Sequence, residues 1–156
     1  MARTILVPIE GSPLSMKALE TALTDYPDAE VLVCHVMDPI GSGLSLIDVM
    51  RPTFDNGAPP GSVSPEYWRE WHDKARESAE EVFERVRETA ADRDRSIETV
   101  LEFGDPADVI VEIAEQNDVN RVVMGSNCRS GAERFLVGSV AETVVRRAPV
   151  PVMVVR

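Results

Sequence analysis

Lysine is nearly absent from this sequence: Lys17 and Lys74 stand against fourteen arginines and 27 acids, for a formal net charge of −11 and a pI near 4.6. Nucleic-acid binders need a basic surface to displace counterions from phosphates, so no nucleic-acid partner is expected. The acidic balance is that of an ordinary cytosolic protein or of a surface kept soluble in concentrated salt, and a salt-adapted, halophilic source is the expectation. Cysteine is scarce as well. Cys34 and Cys128 lie far apart and Cys34 sits in an apolar run, which argues against a disulfide framework and for a reducing compartment. Long apolar runs are missing too: the N-terminal "MARTILVPIEGS" holds only a few apolar residues before Pro8, too short for a signal peptide or a membrane span. A cytoplasmic protein with no membrane partner is expected.

What is present is an alternation. Five short apolar runs, Thr4–Ile9, Glu30–Met37, Ile97–Phe103, Arg121–Gly125 and Val150–Val155, are mostly continuous and rich in valine, isoleucine and leucine, as strands covered on both faces are. Helical patterns lie between them. The first, from about Ser15 to Tyr26, places Ala18, Leu19, Ala22 and Leu23 on one face, and the second, from about Pro65 to Arg93, aligns Trp71, Ala75, Ala79, Val82, Val86 and Ala90. The third opens on "GDP", where Asp105 can cap and Pro106 can take the first helical position, and turns Val109, Ile110, Ile113 and Ala114 to the sheet. The fourth, Ser139 to Ala148, uses Val140, Val144 and Val145 before "APVP" stops it. Right-handed crossovers turn such a βαβαβαβαβ order into one three-layer, doubly wound α/β domain over residues 1–156, with ligands expected beyond the carboxyl ends of the strands where strand order reverses. A long Gly/Pro/Ser-rich loop at about 38–64, with an apolar patch from Leu44 to Met50 read as a short helix, interrupts the rhythm.

Phosphate-binding motifs fail one by one. Gly125 to Gly131 has the wrong spacing and no lysine for a P-loop, and the first βα turn, "PIEGSPLS", has too few glycines for a dinucleotide fingerprint. The clustered acids and placed lysine of a receiver domain are missing as well. There remain Gly125 after the fourth strand, Gly131 in the following loop and Gly138-Ser139 at the next helix start, where unpartnered helical N–H groups favour an anion. Taken by local spacing alone, turn glycines with Ser139 as N-cap explain these residues more simply.

Over nearly its full length, however, the chain resembles the universal stress protein family. The resemblance is carried by "TILVPIEGS", "VLVCHVMDP", "EFGDPADVIVEIAEQNDVNRVVMGS" and "GAERFLVGSVAETVVRRAPVPVMVVR". It implies an α/β fold of adenine nucleotide alpha hydrolase-like type, a three-layer α/β/α sandwich around a five-stranded parallel sheet of order 3-2-1-4-5. ATP-binding members carry G-x-x-G, nine residues and G-[ST]; here Gly125, Cys128 and Gly138-Ser139 keep the spacing, with cysteine in place of the second glycine. The resemblance implies that the triphosphate of ATP, with or without Mg2+, lies on backbone around Met124, Gly125, Cys128, Gly138, Ser139 and Val140. It implies further that the nucleoside meets Pro8, Ile9, Val36 and Glu10, the last standing where the family usually has aspartate. Arg129 and Arg134 can place positive charge near the phosphates or make surface salt bridges. The function implied is a stress-response, adenine-nucleotide-binding sensor or switch that acts on an unknown protein partner. Neither a general base nor a lysine clamp is evident, so no catalytic residue is assigned and a slow ATPase is the most to expect.

The apolar last strand needs a cover. In the family this is the same strand of a second subunit, which implies a homodimer through Val150–Val155. The alternatives are a nucleotide-free dimeric scaffold with a degenerate site and a thiol sensor centred on Cys128. No metal site is expected: Cys34 and His35 point to opposite faces of their strand, His35 reads as a packed core or pocket-wall residue, and His72 as solvent-facing. Trp68 and Trp71 read as packing for the long helix.

Overall fold

The computed structural model describes residues 2–38, 65–126 and 138–156. Nearly all of the long loop, its apolar patch included, and residues 127–137 with Cys128, Arg129, Gly131 and Arg134 lie outside the described residues. The elements run β1 (Thr4–Pro8), α1 (Pro13–Asp25), β2 (Glu30–Met37), α2 (Pro65–Ala91), β3 (Glu98–Phe103), α3 (Pro106–Gln116), β4 (Arg121–Gly125), α4 (Ser139–Arg147) and β5 (Val152–Val155).

All four strand pairings are parallel and the order is β3-β2-β1-β4-β5, as the resemblance implies. Alternate residues of β1 enter opposite cores: Ile5 and Val7 pack with Ala18, Leu19, Ala22 and Leu23 of α1 and Val82, Phe83 and Val86 of α2. Leu6, between them, packs with Ile110, Ile113 and Ala114 of α3 and Ala141 and Val144 of α4. Helices therefore cover both faces, which is why the strand sequences are continuously apolar rather than alternating. Reciprocal bonds pin the start of β1 to the start of β4, Thr4 N–H donating to Asn120 Oδ1 (2.7 Å) and Asn120 N–H to the Thr4 carbonyl (2.8 Å).

Several expectations shift in detail. Helix α1 begins at Pro13, not Ser15, because Ser12 is its cap and accepts from Ser15 N–H. Helix α2 ends at Ala91, and a turn follows in which Asp94 takes a left-handed conformation (φ 53). Beyond that turn the Arg95 guanidinium bonds the carbonyls of Leu23 and Ala29, tying α2 to the α1–β2 connection. Ala148 is extended rather than helical, as a residue before proline is pushed to be. The buried face of α3 includes Ala107 and Val111 and leaves Val109 at its margin, and on α4 Ala141 takes the place expected of Val145, which is 51% exposed. His72 is not solvent-facing: its ring packs on Phe103 (4.7 Å between centroids) and Trp71 (5.2 Å). Trp71 also meets Phe103, while Trp68 rests on Trp71 and stays partly exposed.

Candidate functional site

Strand order reverses between β1 and β4: after β1 the chain builds outward through β2 and β3, then returns to β4 and β5 on the other side. In such sheets the crevice beyond the carboxyl ends at the reversal is the usual ligand position. Because Leu6 pairs with both Leu32 and Val122, the ends of β1, β2 and β4 emerge on one edge. Pro8, Ile9, Glu10, Val36, Met124 and Gly125 are thus brought to one edge by the fold.

They are not equivalent there. Ile9 is 2% exposed, and its N–H donates to the Cys34 carbonyl at 2.8 Å, extending the ladder past the end of β1. Its carbonyl accepts from Nδ1 of the buried His35 at 2.5 Å. Glu10, by contrast, is exposed. Gly11 follows with φ +95, a conformation that favours glycine, and its carbonyl accepts from Arg85 at 3.4 Å. Val36 is half-buried against the α3–α4 core and Met124 is buried in it, so both side chains serve packing.

At the end of β4 the close approach that Gly125 permits is made by the protein itself. A Cβ on Gly125 would lie 2.9 Å from the backbone carbon of Leu14 in the first turn of α1. The next N–H, of Ser126, donates to the Val155 carbonyl at 2.8 Å and belongs to the sheet. The end of β4 itself is thus occupied by the protein's own contacts, and the next described backbone N–H groups along the chain are those at the start of α4. That helix is entered from the carboxyl side of β4 and returns to the amino end of β5, where Val122 N–H bonds the Pro151 carbonyl.

The N-cap of α4 is Gly138, not Ser139. Gly138 is buried and brings no side chain to satisfy the first helical N–H groups; the first intrahelical bond runs from Glu142 N–H to its carbonyl at 2.9 Å. Ser139 is the first helical residue and is exposed, and Val140 is half-buried. The contrast with α1 and α3 is plain, since Ser12 and Asp105 spend their side-chain oxygens on their own helices. A glycine cap leaves the positive end of α4 to whatever anion lies over it.

Cys34 is fully buried, and desolvation, helped by the Glu102 carboxylate, pushes its thiol up to about 12 against an opposing backbone hydrogen bond. It is no nucleophile at neutral pH. No group of three or more metal-ligating side chains occurs among the described residues, and no helix among them is long and apolar enough to cross a membrane. The ties that His35 and Arg85 make around Glu10 are not legible in the sequence as part of a site. His35 signals itself only as a polar residue in an apolar strand, and Arg85 is one of many charges on α2.

The universal stress protein family model matches residues 41–156. The universal stress protein MJ0531 of Methanocaldococcus jannaschii is 32% identical over 156 residues, 99% of this chain and 82% of that protein. Among solved structures, hypothetical protein MJ0577 superposes with a TM-score of 0.75 at 26% identity, covering 99% of this chain and 96% of its own. The universal stress protein from Archaeoglobus fulgidus in complex with dAMP superposes with a TM-score of 0.62 at 20% identity, covering 100% of this chain and 98% of that one.

Proposed function

The chain belongs to the universal stress protein family, and on that premise we propose that it binds an adenine nucleotide, ATP first among the candidates, at the edge where β1 and β4 end. The observation that carries this reading is the glycine cap at Gly138, so that no cap side chain bonds the first-turn N–H groups of α4 on the carboxyl side of the strand-order reversal. Under this proposal the first-turn N–H groups of α4 and the Ser139 hydroxyl hold phosphate, with Cys128 and Arg129 as the further phosphate contacts that the sequence motif implies. Glu10 accepts from a ribose hydroxyl, and the ends of β1 and β2, at Pro8, Ile9 and Val36, flank the nucleoside. The dAMP found in the Archaeoglobus fulgidus structure, which shares the fold, supports the ligand class.

In this proposal the protein acts as a sensor or switch in the cytoplasm rather than as a fast enzyme, with hydrolysis of ATP at most slow. It works as a homodimer joined along β5, and its output is read by a protein partner. A magnesium ion would accompany the triphosphate and offset its charge.

The test is to denature freshly purified protein and identify released nucleotide by chromatography and mass spectrometry, then to titrate the emptied, refolded protein. An adenine nucleotide near one per chain, released or titratable, supports the reading. A folded protein that neither carries nor takes up nucleotide is instead the dimeric scaffold with a degenerate site.

A further inference from the structure

We propose that His35 is a positioning residue of this edge: through its ring it holds the peptide before Glu10 in the one orientation that presents the Glu10 carboxylate to a ligand. The proposal rests on the nucleotide reading above and adds a residue that does not itself touch the nucleotide. His35 is 5% exposed and lies beneath the β1–α1 turn, edge-on to Phe83 of α2 (6.2 Å between centroids, 81° between planes).

The bonding around it is specific. A backbone carbonyl can only accept, so the ring atom that faces the Ile9 oxygen at 2.5 Å, Nδ1, carries a hydrogen. The other nitrogen, Nε2, lies 3.0 Å from the Met37 sulfur at the end of the same strand. Ile9 is therefore fastened twice to β2, by its N–H to the Cys34 carbonyl and by its carbonyl to His35. Two residues on, the Gly11 carbonyl is turned toward Arg85 of α2. Glu10 is exposed between two peptides that are each tied to a neighbouring element. A carboxylate on a fixed backbone loses less freedom when it meets a hydroxyl than one on a free loop, so holding the turn raises affinity without adding a contact.

Calorimetric titration with ATP and Mg2+ of the whole protein, wild type against His35→Leu and His35→Asn, tests this. The Asn side chain places an N–H where Nδ1 stood; Leu fills the space and donates nothing. His35→Leu should bind about tenfold more weakly, as expected for loss of one buried hydrogen bond, and His35→Asn should stay within about twofold of wild type. Leu binding like wild type, or Asn as weak as Leu, would overturn the proposal.

A second readout needs no nucleotide. In the ligand-free protein the Ile9 amide should exchange with solvent faster in His35→Leu than in wild type or His35→Asn, with Leu6 and Val7 unchanged. Equal exchange at Ile9 in all three overturns the clamp. Failure of wild type to bind any nucleotide strikes instead at the function proposed above, and the exchange rates then decide the clamp alone. Should the Leu variant not fold, nitrogen NMR of the wild-type ring decides: a hydrogen on Nδ1 coupled to the Ile9 carbonyl supports the clamp, and a bare Nδ1 refutes it.

Discussion

A methyl group at position 125 would meet the backbone of Leu14, and backbone in the first turn of a helix cannot step aside as the tip of a side chain can. Gly125→Ala should therefore lower stability by about 1–3 kcal/mol, the usual cost of overpacking, with or without nucleotide present. Denaturant unfolding measures it, and an unchanged midpoint would mean that α1 shifts freely. The sequence presents Gly125 as a glycine near a phosphate; that its neighbour is Leu14 depends on a contact between residues more than a hundred positions apart, which spacing cannot reveal. Cys34 makes a second test at this scale. Its thiol keeps its proton in the folded protein up to about 12, whereas the unfolded chain releases it near 9.0, the ordinary value of a solvated thiol. Between those values the unfolded state holds fewer protons than the folded state, so Cys34 makes stability fall as pH rises through that window and has no such effect below it. Unfolding of Cys34→Ala should lack that part of the alkaline slope, and native protein should resist thiol alkylation at Cys34 at neutral pH while unfolded protein reacts.

The helix starts differ, and their differences separate stability from binding. Ser12 and Asp105 each accept a hydrogen bond from the third helical residue of α1 and α3, so Ser12→Ala and Asp105→Ala should each cost about 1 kcal/mol of stability. Ser139 is no cap, and Ser139→Ala should leave thermal stability close to wild type while weakening ATP binding through loss of a hydroxyl; melting curves and titration of the same samples check both halves. The Asp-Pro start of α3 was legible because cap and proline stand together; Ser12-Pro13 carries the same signal, with Pro13 two residues ahead of the Ser15 start that the apolar pattern suggests. Which of Gly138 and Ser139 caps α4 was not legible, since both are good cap residues and only the backbone decides. The apolar stripe of α2 omits Phe83, which is buried beside Val82, and that of α4 includes Val145, which is exposed beside the buried Val144; both lie at the margin of the face, where the orientation of the helix on the sheet, which the periodicity leaves free, decides burial.

At the scale of the whole molecule the alternation of strands and helices was legible in the apolar runs, because a strand buried on both faces has no polar side to confuse the pattern. The order in which the strands lie was implied by family resemblance rather than by any run. That order places β5 at one edge of the sheet, paired with β4 alone among the described residues. An apolar edge of this kind invites a second copy. Val154→Asp should give a monomer by light scattering with its circular dichroism retained, and a folded variant that stays dimeric would contradict association through β5.

The most direct test of the nucleotide site sets one side chain against two opposite electrostatic demands. Ser139→Asp puts a negative charge at the positive end of α4, which the helix favours and a bound phosphate opposes. Calorimetric titration of ATP with Mg2+ into wild type and Ser139→Asp, with melting curves of both, should show a variant at least as stable as wild type whose ATP binding is abolished. A stable Ser139→Asp variant that binds ATP as wild type does would show that phosphate is not held at the start of α4.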